Sequence, residues 1–245
     1  DSVVMPRAEI HTAKNGVKIY TLQSDDFEVV RFSFVFRAGT SMQHKPFTAS
    51  ATLNMLSEGS RSMTAQQIAE TLDFYGTYFD ANIDRDYVYI SLALLTKFCD
   101  NVFPVLREII LNPAFNESEL RIYSNKRQQG LAIERRKIEV QSRELFGQAL
   151  FGAEHPYGES ADESLYDNLT REDLVELYNE LYTAENCFVV CSGNIDHSVI
   201  SNLKQIVEAL PSGRNPEVML PKPETTYSIR KPIDTAVQSS IRIGR

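Results

Sequence analysis

The sequence predicts an α+β protein: a largely antiparallel sheet with helices packed on one face. Three observations carry this. Short runs rich in β-branched and aromatic residues occur in pairs, residues 17–22 with 29–36 and residues 77–83 with 86–95. Between them lie clusters of stretches whose apolar residues recur at helical spacing. Paired strands followed by groups of helices, without strict strand–helix alternation, argue against a parallel sheet.

Each element has a local reason. Asn15-Gly16 is a turn signal ahead of the strand Val17-Lys-Ile-Tyr-Thr-Leu22, and Asp25-Asp26 breaks that strand. Val29-Val-Arg-Phe-Ser-Phe-Val-Phe36 follows, so the chain is expected to open with a hairpin-like strand pair. Arg37-Ala-Gly39-Thr40 ends the second strand, and residues 47–60 read as a short helix. Thr64-Ala-Gln-Gln67 has the form of a capping box and starts a helix carrying Ile68, Leu72 and Tyr75 inward, stopped by Gly76. In the next strand Tyr78, Asp80 and Asn82 share one face, with Phe79, Ala81 and Ile83 on the other. Asp84-Arg-Asp86 is a short polar turn to its antiparallel neighbour.

Residues 98–111 show an apolar helical face, and Pro104 moves the expected start toward Phe103. Asn116-Glu-Ser-Glu119 is a second capping-box form, starting a charged helix to about Glu139, followed by a helical stretch at residues 141–151. His155-Pro-Tyr-Gly158 is a loop. Thr170 caps a helix with Leu174, Leu177, Tyr178 and Leu181 inward. Residues 186–192 form a buried strand, and Gly193-Asn-Ile-Asp196 leads into a helix ending near Leu210. Pro211, Pro216, Pro221 and Pro223 mark a linker, after which residues 226–230 and 236–243 read as two late strands. No repeat with a period of about 20–50 residues is visible.

Composition narrows the function classes. The chain has 245 residues, 42% apolar and 24% charged, which suits one large domain or two small ones. With 33 acidic against 25 basic residues the net charge is −8, unfavourable for a nucleic-acid partner. No apolar run reaches the roughly 18 residues that a membrane span needs, and the first residues have no signal-peptide core. The reading is a soluble protein, with cytoplasm and periplasm both open. Cys187 and Cys191 face one side of a strand and, like Cys99, read as buried reduced thiols; a zinc pair would want two more soft ligands nearby. His11, His44, His155 and His197 read as surface residues, none four residues from another.

The landmarks, taken in order, resemble the insulinase/pitrilysin and mitochondrial-processing-peptidase family of zinc peptidases. They are Lys14-Asn-Gly-Val-Lys-Ile-Tyr20, Phe34-Val-Phe-Arg-Ala-Gly39, Gly76 with its strand, Asn112-Pro-Ala-Phe115, His155-Pro-Tyr-Gly158, the stretch from Leu169-Thr-Arg-Glu-Asp to Glu185-Asn186, and Gly193-Asn-Ile-Asp196. The resemblance implies the processing-peptidase-like metallohydrolase fold. It also implies the first half of a molecule whose two αβ halves close around an unfolded peptide. Residues 1–220 would be that half, and residues 221–245 a linker with the first strands of a second.

In catalytic relatives the first helix after the Ala-Gly turn carries H-x-x-E-H. Two imidazoles one turn apart bind zinc, and the glutamate takes a proton from the bound water. Here those positions fall on Ser50, Leu53 and Asn54, so no catalytic residue and no metal ligand is expected in this chain. Glu134 and Glu139 lie roughly where the family's distant zinc glutamate belongs, and on so charged a helix they read as solvated carboxylates. The resemblance implies a non-catalytic member with no cofactor of its own, zinc being supplied by a catalytic sibling subunit. Peptide binding by strand addition would fall on Tyr78, Phe79, Asp80, Ala81 and Asn82. The partners would be an extended peptide or unfolded segment and a catalytic sibling or second half, in a heterodimer, with no nucleic acid and no membrane span. The rival readings are a purely structural assembly subunit and an active metallopeptidase with an unconventional site.

Overall fold

The computed structural model describes residues 7–160, 162–214, 220–234 and 237–244. The chain opens with β1 (Glu9–Thr12) and β2 (Lys18–Gln23), an antiparallel hairpin turned at Asn15-Gly16, where Gly16 takes φ +89°. β3 (Val29–Phe36), α1 (Thr48–Met55) and α2 (Ala65–Phe74) follow. Then come the hairpin β4 (Tyr78–Ile83) and β5 (Val88–Leu95) and the helices α3 (Cys99–Leu111), α4 (Glu117–Glu134) and α5 (Ile138–Phe151). α6 (Arg171–Leu181), β6 (Cys187–Gly193) and α7 (His197–Glu208) complete the regular elements among the described residues.

The six strands form one sheet in the order β1-β2-β6-β3-β5-β4. Every neighbouring pair is antiparallel except β2 with β6. The expected pairing of the second and third strands does not occur, because β6 lies between them. Val189 and Cys191 of β6 face the core fully buried, so this strand gains more at the centre of the sheet than at an edge. β1, for which no strand was expected, is the hairpin partner of β2.

One face of the sheet is covered. Phe32, Phe34 and Phe36 of β3 and Val88, Ile90 and Leu92 of β5 are at most 1% exposed and pack against the helices. Each such side chain contributes roughly 1.5–3 kcal/mol by leaving water. Arg31 and Val190 on the opposite face are exposed.

The capping box expected at Thr64 is formed, and the expected Thr170 cap is a capping box too, with Gln67 and Asp173 reaching back to the cap backbone. The form at Asn116 does not close a side-chain cap. α3 begins at Cys99, not near Phe103, and holds Pro104 inside. The buried face of Val102, Phe103, Val105 and Leu106 offsets the one lost helical hydrogen bond. The long charged helix breaks at Arg135–Lys137, where the Arg135 guanidinium donates to Glu144, Glu163 and Ser160 and ties the end of α4 to α5, Ser160 and Glu163. His155, expected at the surface, is 4% exposed: its ring stacks on Phe151, and Nδ1 accepts from the Tyr157 N–H.

The two late strands are not found among the described residues, and Ala236 lies outside them. The backbone leading into the first, residues 224–226, meets a helix end in place of a strand. The Glu224 and Thr226 N–H groups donate to the carbonyls of Phe151 and Ala149, and Thr225 Oγ1 donates to Leu150. The segment thereby satisfies acceptors that the last turn of α5 leaves open.

Cys99, Cys187 and Cys191 are free and buried, as expected from sequence. Burial pushes the thiols of Cys99 and Cys191 up to about 12, and that of Cys187 up as well. At pH 8 the folded protein should therefore resist a disulfide titrant such as DTNB, and all three thiols should react after denaturation. Rapid reaction of the native protein would contradict this burial.

Candidate functional site

α1 is placed by a backbone strap. The segment after β3 donates from Gly39, Thr40 and Ser41 N–H to the carbonyls of Asp86, Asp84 and Arg85 in the β4–β5 turn. A side chain at Gly39 would meet that turn's backbone at 2.5 Å, so the Ala-Gly signature is a close-approach requirement. Because of this strap, α1 begins beside the β4–β5 hairpin, and it packs against β4.

The helix starts under strain. Phe47, its N-cap, is in the left-handed region at φ 67°, and its ring stacks on Tyr166 with centroids 4.0 Å apart. Ser50, Leu53 and Asn54, where the resemblance would put the motif, all lie on α1. Ser50 Oγ donates to the Phe47 carbonyl at 3.0 Å, and Asn54 Nδ2 donates to the Ser50 carbonyl at 2.7 Å. Both polar groups are spent on the helix's own backbone. Leu53 is 1% exposed and belongs to the core.

The α4 residue that meets this face is Tyr123, which sequence reasoning missed. Its hydroxyl lies against Ser50 and Arg127 without closing a hydrogen bond of ordinary geometry, and burial, then Tyr166, pushes its pKa up to about 12. Its ring meets Tyr166 edge-on at 6.4 Å. Glu134 and Glu139, expected near the distant ligand position, are exposed at the end of α4 and the start of α5. Glu134 lies eleven residues beyond Tyr123, or about 16 Å along the helix. The tyrosine carries no sequence signal for this contact, since a lone aromatic on a charged helix reads as packing.

These residues do not fit a metal. A serine and an asparagine bound to backbone carbonyls, a buried leucine, two tyrosines and an arginine offer no set of soft or anionic ligands. Among the described residues no cluster of three or more His, Cys, Asp or Glu is placed to hold a metal ion.

β4 is an outer strand of the sheet, hydrogen-bonded only to β5. Tyr78, Asp80 and Asn82 point to the open face and Phe79 and Ala81 toward the helices. Tyr78 is 62% exposed, and Asn82 Nδ2 donates to Asp80 Oδ2 at 2.6 Å. The outward backbone groups of six residues face no strand, and the other edge, β1, has only four residues. The structure thus brings the degenerate helix and the predicted edge strand side by side.

Two family descriptions match this chain. Residues 48–147 match the insulinase family, peptidase family M16, and residues 168–244 match the M16 inactive domain. The chain belongs to the M16 peptidase family. A relative described as an uncharacterized zinc protease, from Rickettsia felis, is 22% identical over 217 residues, which cover 83% of this chain and 50% of that protein. Mitochondrial-processing peptidase subunit alpha-1 of Dictyostelium discoideum is 24% identical over 210 residues, 80% of this chain and 30% of that one. This M16 chain therefore spans half or less of the length of these relatives. Among solved structures, the peptidase M16 inactive domain from Pseudomonas fluorescens superposes with a TM-score of 0.82 at 20% identity, covering 89% of this chain and 54% of that one. The first half of the periplasmic protease PqqL from Escherichia coli gives 0.73 at 16% identity, with 88% and 50% covered. These likenesses establish the M16 fold. No helix among the described residues is long and apolar enough to cross a membrane.

The buried place of Leu53 gives a test. Leu53→Glu puts an unpaired carboxylate into the core and should lower unfolding stability at pH 7 by about 4 kcal/mol. The buried acid would have a raised pKa, so its neutral form is tolerated better and the loss should shrink as pH falls toward 4. Denaturant titrations at both pH values check this. A variant as stable as the parent at pH 7 would show that position 53 faces solvent or a partner charge.

Proposed function

We propose that this M16 homologue is non-catalytic and holds an extended peptide along β4, working with a catalytic sibling subunit that supplies zinc and hydrolysis or with a second half of its own. The observation that carries the reading is the adjacency of an open strand edge to a metal-position helix whose polar groups are spent on its own backbone. An added strand would pair its main chain with β4 and gain hydrogen bonds that ask little of the peptide's sequence. The relative described as one subunit of a processing peptidase supports a chain that works beside others.

The test uses a fluorescent extended peptide and the same peptide N-methylated at alternating residues. The unmodified peptide should bind without being cleaved, and N-methylation should weaken binding at least about tenfold by removing main-chain donors. Equal binding of the two forms would argue against strand addition. No binding, alone or with a catalytic sibling, would favour an assembly role. Stoichiometric zinc with cleavage by the lone chain would overturn the reading.

A further inference from the structure

An open cavity of about 560 Å³ lies where α2 meets the start of β4. Its deep residues are Ile68, Leu72 and Thr77, at 1%, 6% and 8% exposure, and Phe79 closes the strand side. Glu58, Asp73 and Tyr78 line it nearer to solvent.

Two groups here lack partners. The Thr77 hydroxyl is buried with no hydrogen bond. Glu58 is half-buried, and among the described residues its carboxylate meets charge only at longer range. Burial, then the neighbouring Glu119, raises its pKa, while Lys126 pulls the other way and less strongly. A carboxylate drawn out of water without a hydrogen-bonded cation is costly. Apolar depth with acidic groups at the mouth suits a side chain that is apolar along its stem and cationic at its tip.

We propose that this cavity is a side-chain pocket for a long basic residue, lysine or arginine, of a peptide paired along β4. The inference rests on the strand-addition reading and adds a sequence preference to it. Side chains of an added strand alternate between faces, so every second one points toward the helices, where the cavity opens beside Phe79. The stem would run along Ile68, Leu72 and Phe79, and the cationic head would meet Glu58 and Asp73, with the Thr77 hydroxyl free to accept a hydrogen bond. An aliphatic residue would desolvate Glu58 further without pairing it. An acidic residue would face Glu58 and Asp73 together.

The probes are three fluorescent peptides of one extended sequence, differing at a single position: arginine, norleucine or glutamate. Several placements of that position find the register. At the register that reaches the pocket, arginine should bind about tenfold tighter than norleucine, with glutamate weakest. The double variant Glu58→Gln, Asp73→Asn should bring arginine and norleucine within about twofold while leaving norleucine affinity unchanged. Retained norleucine binding also shows that the variant is folded. Equal binding of the three peptides at every placement, or an arginine preference that survives the double variant, would overturn the pocket and leave strand addition standing. Failure of all peptides to bind the parent protein would overturn both.

Discussion

The fold depends on one long-range pairing. β6 lies between β2 and β3 along its whole length, joining Cys187–Gly193 to strands more than 150 residues earlier. Asn186 locks its start, its Nδ2 donating to the Arg37 carbonyl at 3.0 Å and the Leu181 carbonyl at 2.7 Å. Without β6 the N-terminal hairpin has no partner in the sheet and the core loses Val189 and Cys191. On the other side of β3 the β4–β5 hairpin extends the sheet and leaves β4 as an outer edge. β3 thus carries the core-closing strand on one side and the hairpin that ends in the proposed surface on the other.

Local chemistry explains what was legible in the sequence. The Thr64 and Thr170 caps, the Gly76 stop and the alternation in β4 and β5 are written in neighbouring residues, and the structure repeats them nearly residue for residue. The helix that holds Ser50, Leu53 and Asn54 was readable from its neighbours, and it forms at Thr48–Met55. Long-range choices were not legible. Adjacent strands with good turn chemistry predict a hairpin, and nothing local in residues 17–36 reveals that a strand from residue 187 onward separates them. The late strands were misread for a related reason: alternating apolar residues signal pairing only when a strand edge is available, and residues 224–226 bond to the end of α5.

The candidate site shows the same division. That Tyr78–Asn82 form a strand follows from their alternation, but that the strand is an edge follows from the sheet order. Tyr123 and Tyr166 converge on α1 from α4 and a distant loop, which no spacing rule relates. Glu58 and Asp73 are unremarkable acids in sequence, and only the cavity between α2 and β4 joins them. On the face where the resemblance would put metal ligands, this chain gathers a buried leucine, self-bonded polar groups and aromatic rings. Packing has taken over the position, while the neighbouring edge keeps its main-chain groups free.

Hydrogen exchange along β4 tests the central claim most directly. Outward amides of Tyr78–Ile83 should exchange quickly in the free protein and slow markedly when a saturating extended peptide is added, with β1 at the opposite edge unchanged. Slowing confined to other elements, or no change in β4 while the peptide is bound, would contradict strand addition at this edge.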